Sequence, residues 1–170
     1  MTDTAVDTLS IADTRVVRAI ELIWREADLL DRKQYETWKG MYSEDGLYVV
    51  PIDSTGDDFD NRLNMIYDDA RMRDMRVVRM TEGYAIAAVD AAVTTRTVSR
   101  FVVQSCTDDE IHLRASQIVV AFKRGKHDLW AGDVEYRIRL GVDGSADRIA
   151  LKVIRLVDSE DAVPAAGFLL

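Results

Sequence analysis

A chain of 170 residues, 48% hydrophobic and 31% charged, has the length of one domain and enough apolar side chains for a substantial single core. Its net charge of −8 argues against a surface that draws in phosphate backbones or anionic lipid, so neither nucleic acid nor membrane is an expected partner. One cysteine cannot form an internal disulfide, and no early apolar run resembles a signal peptide or reaches the length of a bilayer span; cytoplasm is the expected compartment.

Residues 1–9 are rich in threonine and aspartate and read as a flexible tail, leaving 10–170 as one domain. Ser10 or Asp13 can cap a helix in which Val16, Ile20, Ile23, Trp24, Ala27 and Leu30 recur at three- and four-residue steps on one face. A shorter helical turn then presents Tyr35, Trp38 and Met41, and Asp45-Gly46 is expected to turn the chain into a strand over 47–50, stopped by Pro51. The polar stretch 52–64 suits an exposed excursion. A third helix is predicted over 65–80. Its arginines Arg71, Arg73, Arg76 and Arg79 are expected to face outward or toward a partner, with Asp68, Asp69 and Asp74 available at three- or four-residue steps.

The second half changes period. Residues 93–104 and 111–124 are dense in valine, threonine, isoleucine and phenylalanine and read as two long strands. A polar turn over 123–128 follows. Val134, Tyr136, Ile138 and Leu140 then alternate with Glu135, Arg137 and Arg139, as a strand buried on one face requires, and Gly141 to Gly144 closes a hairpin into a last strand over 149–157. Helices first and an antiparallel meander afterwards give an α+β fold, with a curved sheet wrapped around the helices.

Several blocks carry a resemblance. The run Glu26-Ala27-Asp28-Leu29-Leu30-Asp31, then Tyr35 and Trp38, then Asp45-Gly46-Leu47-Tyr48-Val49-Val50-Pro51, resembles the opening of the beta (small) subunit of aromatic-ring-hydroxylating dioxygenases. Tyr67-Asp68-Asp69 with Arg71 and Arg73, Arg96-Thr97-Val98-Ser99, Ala131-Gly132, Tyr136-Arg137-Ile138-Arg139 and Arg148 to Val153 are similar to later blocks of that family. Thr94-Thr95 departs from the proline-serine pair common there ahead of the arginine.

The resemblance implies a cystatin-like, NTF2-like cone. It also implies a structural role beneath a separate large (alpha) catalytic subunit, in a complex with three copies of each that serves aromatic compound catabolism. A Rieske two-iron cluster needs two cysteines and two histidines, and an oxygen-activating mononuclear iron typically takes two histidines and a carboxylate. Cys106, His112 and His127 cannot complete that pair of centres. Both centres are therefore expected in the partner subunit, and no catalytic, cofactor-binding or metal-binding residue is expected in this chain.

Two other readings stay open. One is a stand-alone lyase or isomerase of the same fold, working by proton transfer with His112, Tyr48 and an acid such as Asp45 or Asp31. The other is a non-enzymatic small-molecule-binding homo-oligomer. The bland assignments are core positions for Trp24, Tyr35 and Trp38, ordinary hydrogen bonding for His112, a solvated turn for His127 and no nucleophilic role for Cys106. Ala162 to Leu170 ends on Phe168, Leu169 and Leu170, which either fold back on the core or touch another subunit.

Overall fold

The carboxylate of Asp13 accepts the Arg15 backbone N–H at 2.9 Å and so starts helix α1, Thr14–Asp31, in a computed structural model that describes residues 9–82, 92–161 and 167–170. The tail expected over 1–9 thus lies almost wholly outside the described residues. Val16, Ala19, Ile20, Ile23 and Leu30 are buried along one face of α1, and Trp38 is buried on the short helix α2, Tyr35–Lys39. Trp24 departs from expectation at 55% exposed. It stands at the rim of the buried stripe, where its indole N–H reaches the Val98 carbonyl at 3.3 Å and its ring meets Phe101 edge-on.

Six strands form one sheet: β1 Tyr42–Pro51, β2 Asn64–Asp68, β3 Val93–Cys106, β4 Glu110–Lys123, β5 Lys126–Arg139 and β6 Arg148–Leu156, with helix α3, Ala70–Glu82, between β2 and β3. Their order is β2-β1-β6-β5-β4-β3. The stretch from β3 to β6 is the expected antiparallel meander, but β6 lies beside β1 in parallel, so the sheet is mixed rather than purely antiparallel. Between β4 and β5 the turn is only two residues, Arg124 (φ 50°) and Gly125 (φ 76°), the left-handed pair that matches strand twist in a tight hairpin. Lys126, His127 and Asp128 therefore belong to β5, not to the polar turn expected there.

Two further expectations are corrected in the first half. The strand begins at Tyr42 rather than after Asp45-Gly46, which forms an irregularity inside β1 while pairing to β6 continues on both sides. Residues 64–68 are an edge strand paired antiparallel to β1, not the start of a helix; pairing with Tyr48 to Pro51 outweighs helical periodicity there.

Because Asp68 sits on β2, its partner is Arg76, eight residues on, and not a neighbour at helical spacing. Nor does Arg73 face outward. It is buried, donates to the Gly46 carbonyl and lies 4.2 Å over the Tyr42 ring, so two of the four helix arginines tie α3 to its own sheet.

The core fills the space between the helices and one face of the sheet, lined by Ile111, Leu113, Val134, Ile138, Ile149 and Ile154. Phe168, Leu169 and Leu170 are buried in it, with the Phe168 ring edge-on to Trp130 at 5.6 Å. Gly132, opposite Leu156, permits the close approach of β5 and β6: a Cβ there would fall 2.2 Å from the Arg155 carbonyl oxygen. Gly132→Ala is accordingly expected to destabilise the fold by about 1–3 kcal/mol through overpacking against backbone, read as a lower midpoint in urea unfolding at unchanged slope.

Candidate functional site

Inside the cone, α1 turns Glu26 toward the core, where the residue is 1% exposed. A carboxylate so placed is costly unless its lone pairs are filled. Four donors fill them. Lys152 Nζ reaches Oε1 at 3.1 Å, the Trp38 indole N–H at 2.9 Å and the Tyr42 hydroxyl at 3.3 Å, while the Tyr136 hydroxyl donates to Oε2 at 2.8 Å. They come from α2, β1, β5 and β6, so this one side chain joins the helical layer to the sheet.

Burial pushes the Tyr42 and Tyr136 hydroxyls well up, with the Glu26 charge adding to it, and burial likewise raises Tyr48. These phenols stay neutral donors. Burial pulls the Lys152 ammonium down while Glu26 holds it up.

The C-terminal residues close this interior. Leu170 places its carbonyl oxygen 3.1 Å from Lys152 Nζ and 3.1 Å from the Tyr48 hydroxyl, which also accepts the Leu170 N–H. Arg96 donates to the Leu169 carbonyl and pairs with Asp31, whose other oxygen accepts the Arg96 backbone N–H at 2.8 Å. Thr94 completes that cluster with a 2.8 Å bond to Asp31. The threonine that departs from the family pattern thus holds the carboxylate that holds Arg96.

The residues considered for proton transfer are not brought together. Tyr48 is buried and Asp31 half-buried, both engaged as described. Asp45 lies on the surface in a two-pronged pair with Arg139 at 2.5 and 2.7 Å, which together with Ser43 holds its carboxyl at about 2. His112 is on the opposite face of the sheet, 3.7 Å from Glu135, in a groove of about 240 Å³ with Leu47, Phe59, Tyr67 and Leu151. His127 is exposed beside the Phe122 ring. Burial pushes the Cys106 thiol up, opposite to the lowering that activates a cysteine. Among the described residues no group of three or more His, Cys, Asp or Glu side chains is placed to hold a metal ion.

The outer face of β3, β4 and β5 has a different character. Alternation that buries Val119 and Ala121 leaves Ile118, Val120 and Phe122 45%, 38% and 43% exposed, and their neighbours Leu129 on β5 and Val93 on β3 66% and 65%. These positions are cross-strand neighbours and form a continuous apolar patch. The sequence showed it only as a second set of apolar residues in strands that read as dense rather than alternating.

Two measurements check this geometry. Glu26→Ala strands Lys152 and three further donors in the core and is expected to cost about 3–5 kcal/mol in urea unfolding, while Tyr42→Phe, which removes the longest bond, costs about 1 kcal/mol. Asp45 has a folded pKa below its usual 3.8, so its pair with Arg139 stabilises above about pH 4 and is lost as pH falls toward 2. In Arg139→Gln the Asp45 carboxyl, followed by NMR titration, is expected to return toward the usual aspartate value.

Comparison with known proteins agrees with this arrangement. A family model described as ring hydroxylating beta subunit matches residues 25–160. The small oxygenase component of the p-cumate 2,3-dioxygenase system of Pseudomonas putida is 31% identical over 128 residues, 73% of this chain and 69% of that protein. Among solved structures, the beta subunit of the benzoate 1,2-dioxygenase from Burkholderia mallei superposes with a TM-score of 0.74 at 21% identity, over 95% of this chain and 100% of that one. An NTF2-like protein with a cystatin-like fold from Novosphingobium aromaticivorans superposes with a TM-score of 0.57 at 16% identity, over 88% of this chain and 93% of its own. The fold is therefore the NTF2-like α+β cone that the sequence blocks implied. With a family model spanning residues 25–160 and a curated relative above 30% identity, the chain belongs to the ring-hydroxylating dioxygenase beta subunit family.

Proposed function

We propose that this chain is the structural small subunit of a multicomponent aromatic-ring-hydroxylating dioxygenase, acting in the cytoplasm in the breakdown of aromatic compounds. Residues 10–170 form its one domain. It packs with a large subunit that carries the Rieske cluster and the mononuclear iron, three copies of each in the complex. No side chain of this chain takes part in catalysis or binds a cofactor.

The observation that carries the structural role is the contrast between the two faces of the sheet. On the inner side Glu26, Lys152, Arg96 and Tyr48 are all engaged, with one another or with Asp31, Leu169 and Leu170. The outer face leaves a row of valine, isoleucine, leucine and phenylalanine in contact with water, in a chain whose charge of −8 otherwise favours solubility. Such a surface supports a docking role, and a sealed interior supports the absence of chemistry within.

Co-expression with the large-subunit gene tests it. The wild-type chain is expected to co-purify with the large subunit at the mass of a three-plus-three complex. Replacing Val120 and Leu129 by aspartate should lower the yield of that complex several-fold while circular dichroism and melting of the isolated chain stay near wild type. A chain that remains monomeric beside its large subunit, or that oxidises an arene without it, contradicts the reading.

A further inference from the structure

The C-terminal tetrapeptide is held as a ligand is held. Gly167 to Leu170 belong to no strand, and their backbone is met by side chains from three strands. Tyr48 of β1 brackets Leu170 by donating to its carbonyl and accepting its N–H, Lys152 of β6 donates to the same carbonyl, and Arg96 of β3 donates to that of Leu169. The Phe168 ring lies against Trp130 of β5, and both leucine side chains are buried.

Each donor side chain also makes contacts that do not involve the peptide. Lys152 is anchored on Glu26, itself held by Trp38, Tyr42 and Tyr136. Arg96 is anchored on Asp31, which Thr94 and the Arg96 backbone also bind. Tyr48 stands on a strand paired on both edges, to β2 and to β6, with its ring edge-on to Trp38 at 5.6 Å. A cradle whose donors are already oriented loses little freedom when it is filled, which is the condition for a binding site rather than a collapsed core.

We propose that the cone is a peptide-binding site, occupied in this structure by the chain's own Phe168-Leu169-Leu170, and that it accepts the same short apolar sequence when this is supplied in trans. The ligand class is an extended peptide with bulky apolar side chains, whose backbone oxygens at the positions of Leu169 and Leu170 meet Arg96, Lys152 and Tyr48. This goes beyond the subunit role and does not depend on it, because the site is complete within one chain.

The test lets the full chain fold before the covalent link is cut. A site-specific protease sequence is inserted between Ala162 and Gly167, the purified protein is cleaved, and native mass spectrometry follows the released fragment. The fragment is expected to stay bound one-to-one with the body and to exchange for an excess of an isotope-labelled peptide covering residues 165–170. A peptide in which both leucines are aspartate should not exchange in. Tyr48→Phe in the cleaved protein removes the group that brackets Leu170 and should weaken binding of the labelled peptide roughly tenfold without unfolding the body.

Loss of the fragment with unfolding of the body would show that the segment is ordinary core and overturn the proposal. So would a folded body that releases the fragment and takes up none of the labelled peptide, or a fragment that never exchanges. Complex formation with the large subunit is scored separately by co-purification, so a failure here leaves the assembly role standing, and the reverse holds as well.

Discussion

A buried carboxylate with four donors is the constraint on which the rest of the molecule turns. Glu26 cannot sit in an apolar core alone, and satisfying it demands that Trp38, Tyr42, Tyr136 and Lys152 converge from four separate elements. That convergence sets the distance of α1 from the sheet, orients Trp38 edge-on to Tyr42 and Tyr48, and positions Lys152 for the C-terminal carbonyl. A second cluster, Asp31 with Thr94 and Arg96, does the same at the end of α1. Both acids come from the run that opens the family resemblance, so one helix supplies anchors for β1, β3, β5 and β6.

The consequence is a division of labour between two sides of one sheet. On the inner side Tyr42 and Tyr136 are phenols raised by burial, the Lys152 ammonium is tied to the Glu26 carboxylate and the Arg96 guanidinium to Asp31. The outer side carries a groove with His112 and an apolar patch on β3, β4 and β5. Proton-transfer chemistry would need a base, an acid and a hydroxyl in one cavity, yet His112 and Tyr48 are separated by the sheet, and the Asp45 carboxyl, at about 2, is a feeble base.

Much of this was legible in the residues themselves. Periodicity located α1, the buried Trp38 and the strands from β3 to β6, and glycine-bearing turns separated β4 from β5 and β5 from β6. What escaped was set by partners distant in sequence. Residues 65–68 look helical in isolation and become a strand because β1 offers them a free edge, and Arg73 and Arg76 look like a solvated helix face until Gly46, Tyr42 and Asp68 claim them. Trp24 matched the helical spacing and still fell at the rim. Glu26 is the instructive miss: a glutamate inside an amphipathic stripe reads as an interruption, and only the later Tyr136 and Lys152, more than a hundred residues away, make it a keystone. The final Phe168-Leu169-Leu170 admitted two outcomes in sequence, and Arg96, Lys152 and Tyr48 hold it within its own chain.

The central claim is that this subunit supports an oxygenase without contributing a reacting group. The most direct measurement is turnover per assembled complex, with a large subunit and an arene that the wild-type complex oxidises, using small subunits that carry His112→Ala or Tyr48→Phe. Unchanged turnover per complex, whatever the yield of assembly, is the outcome this account requires. A large fall in turnover in complexes of normal mass and iron content would contradict it.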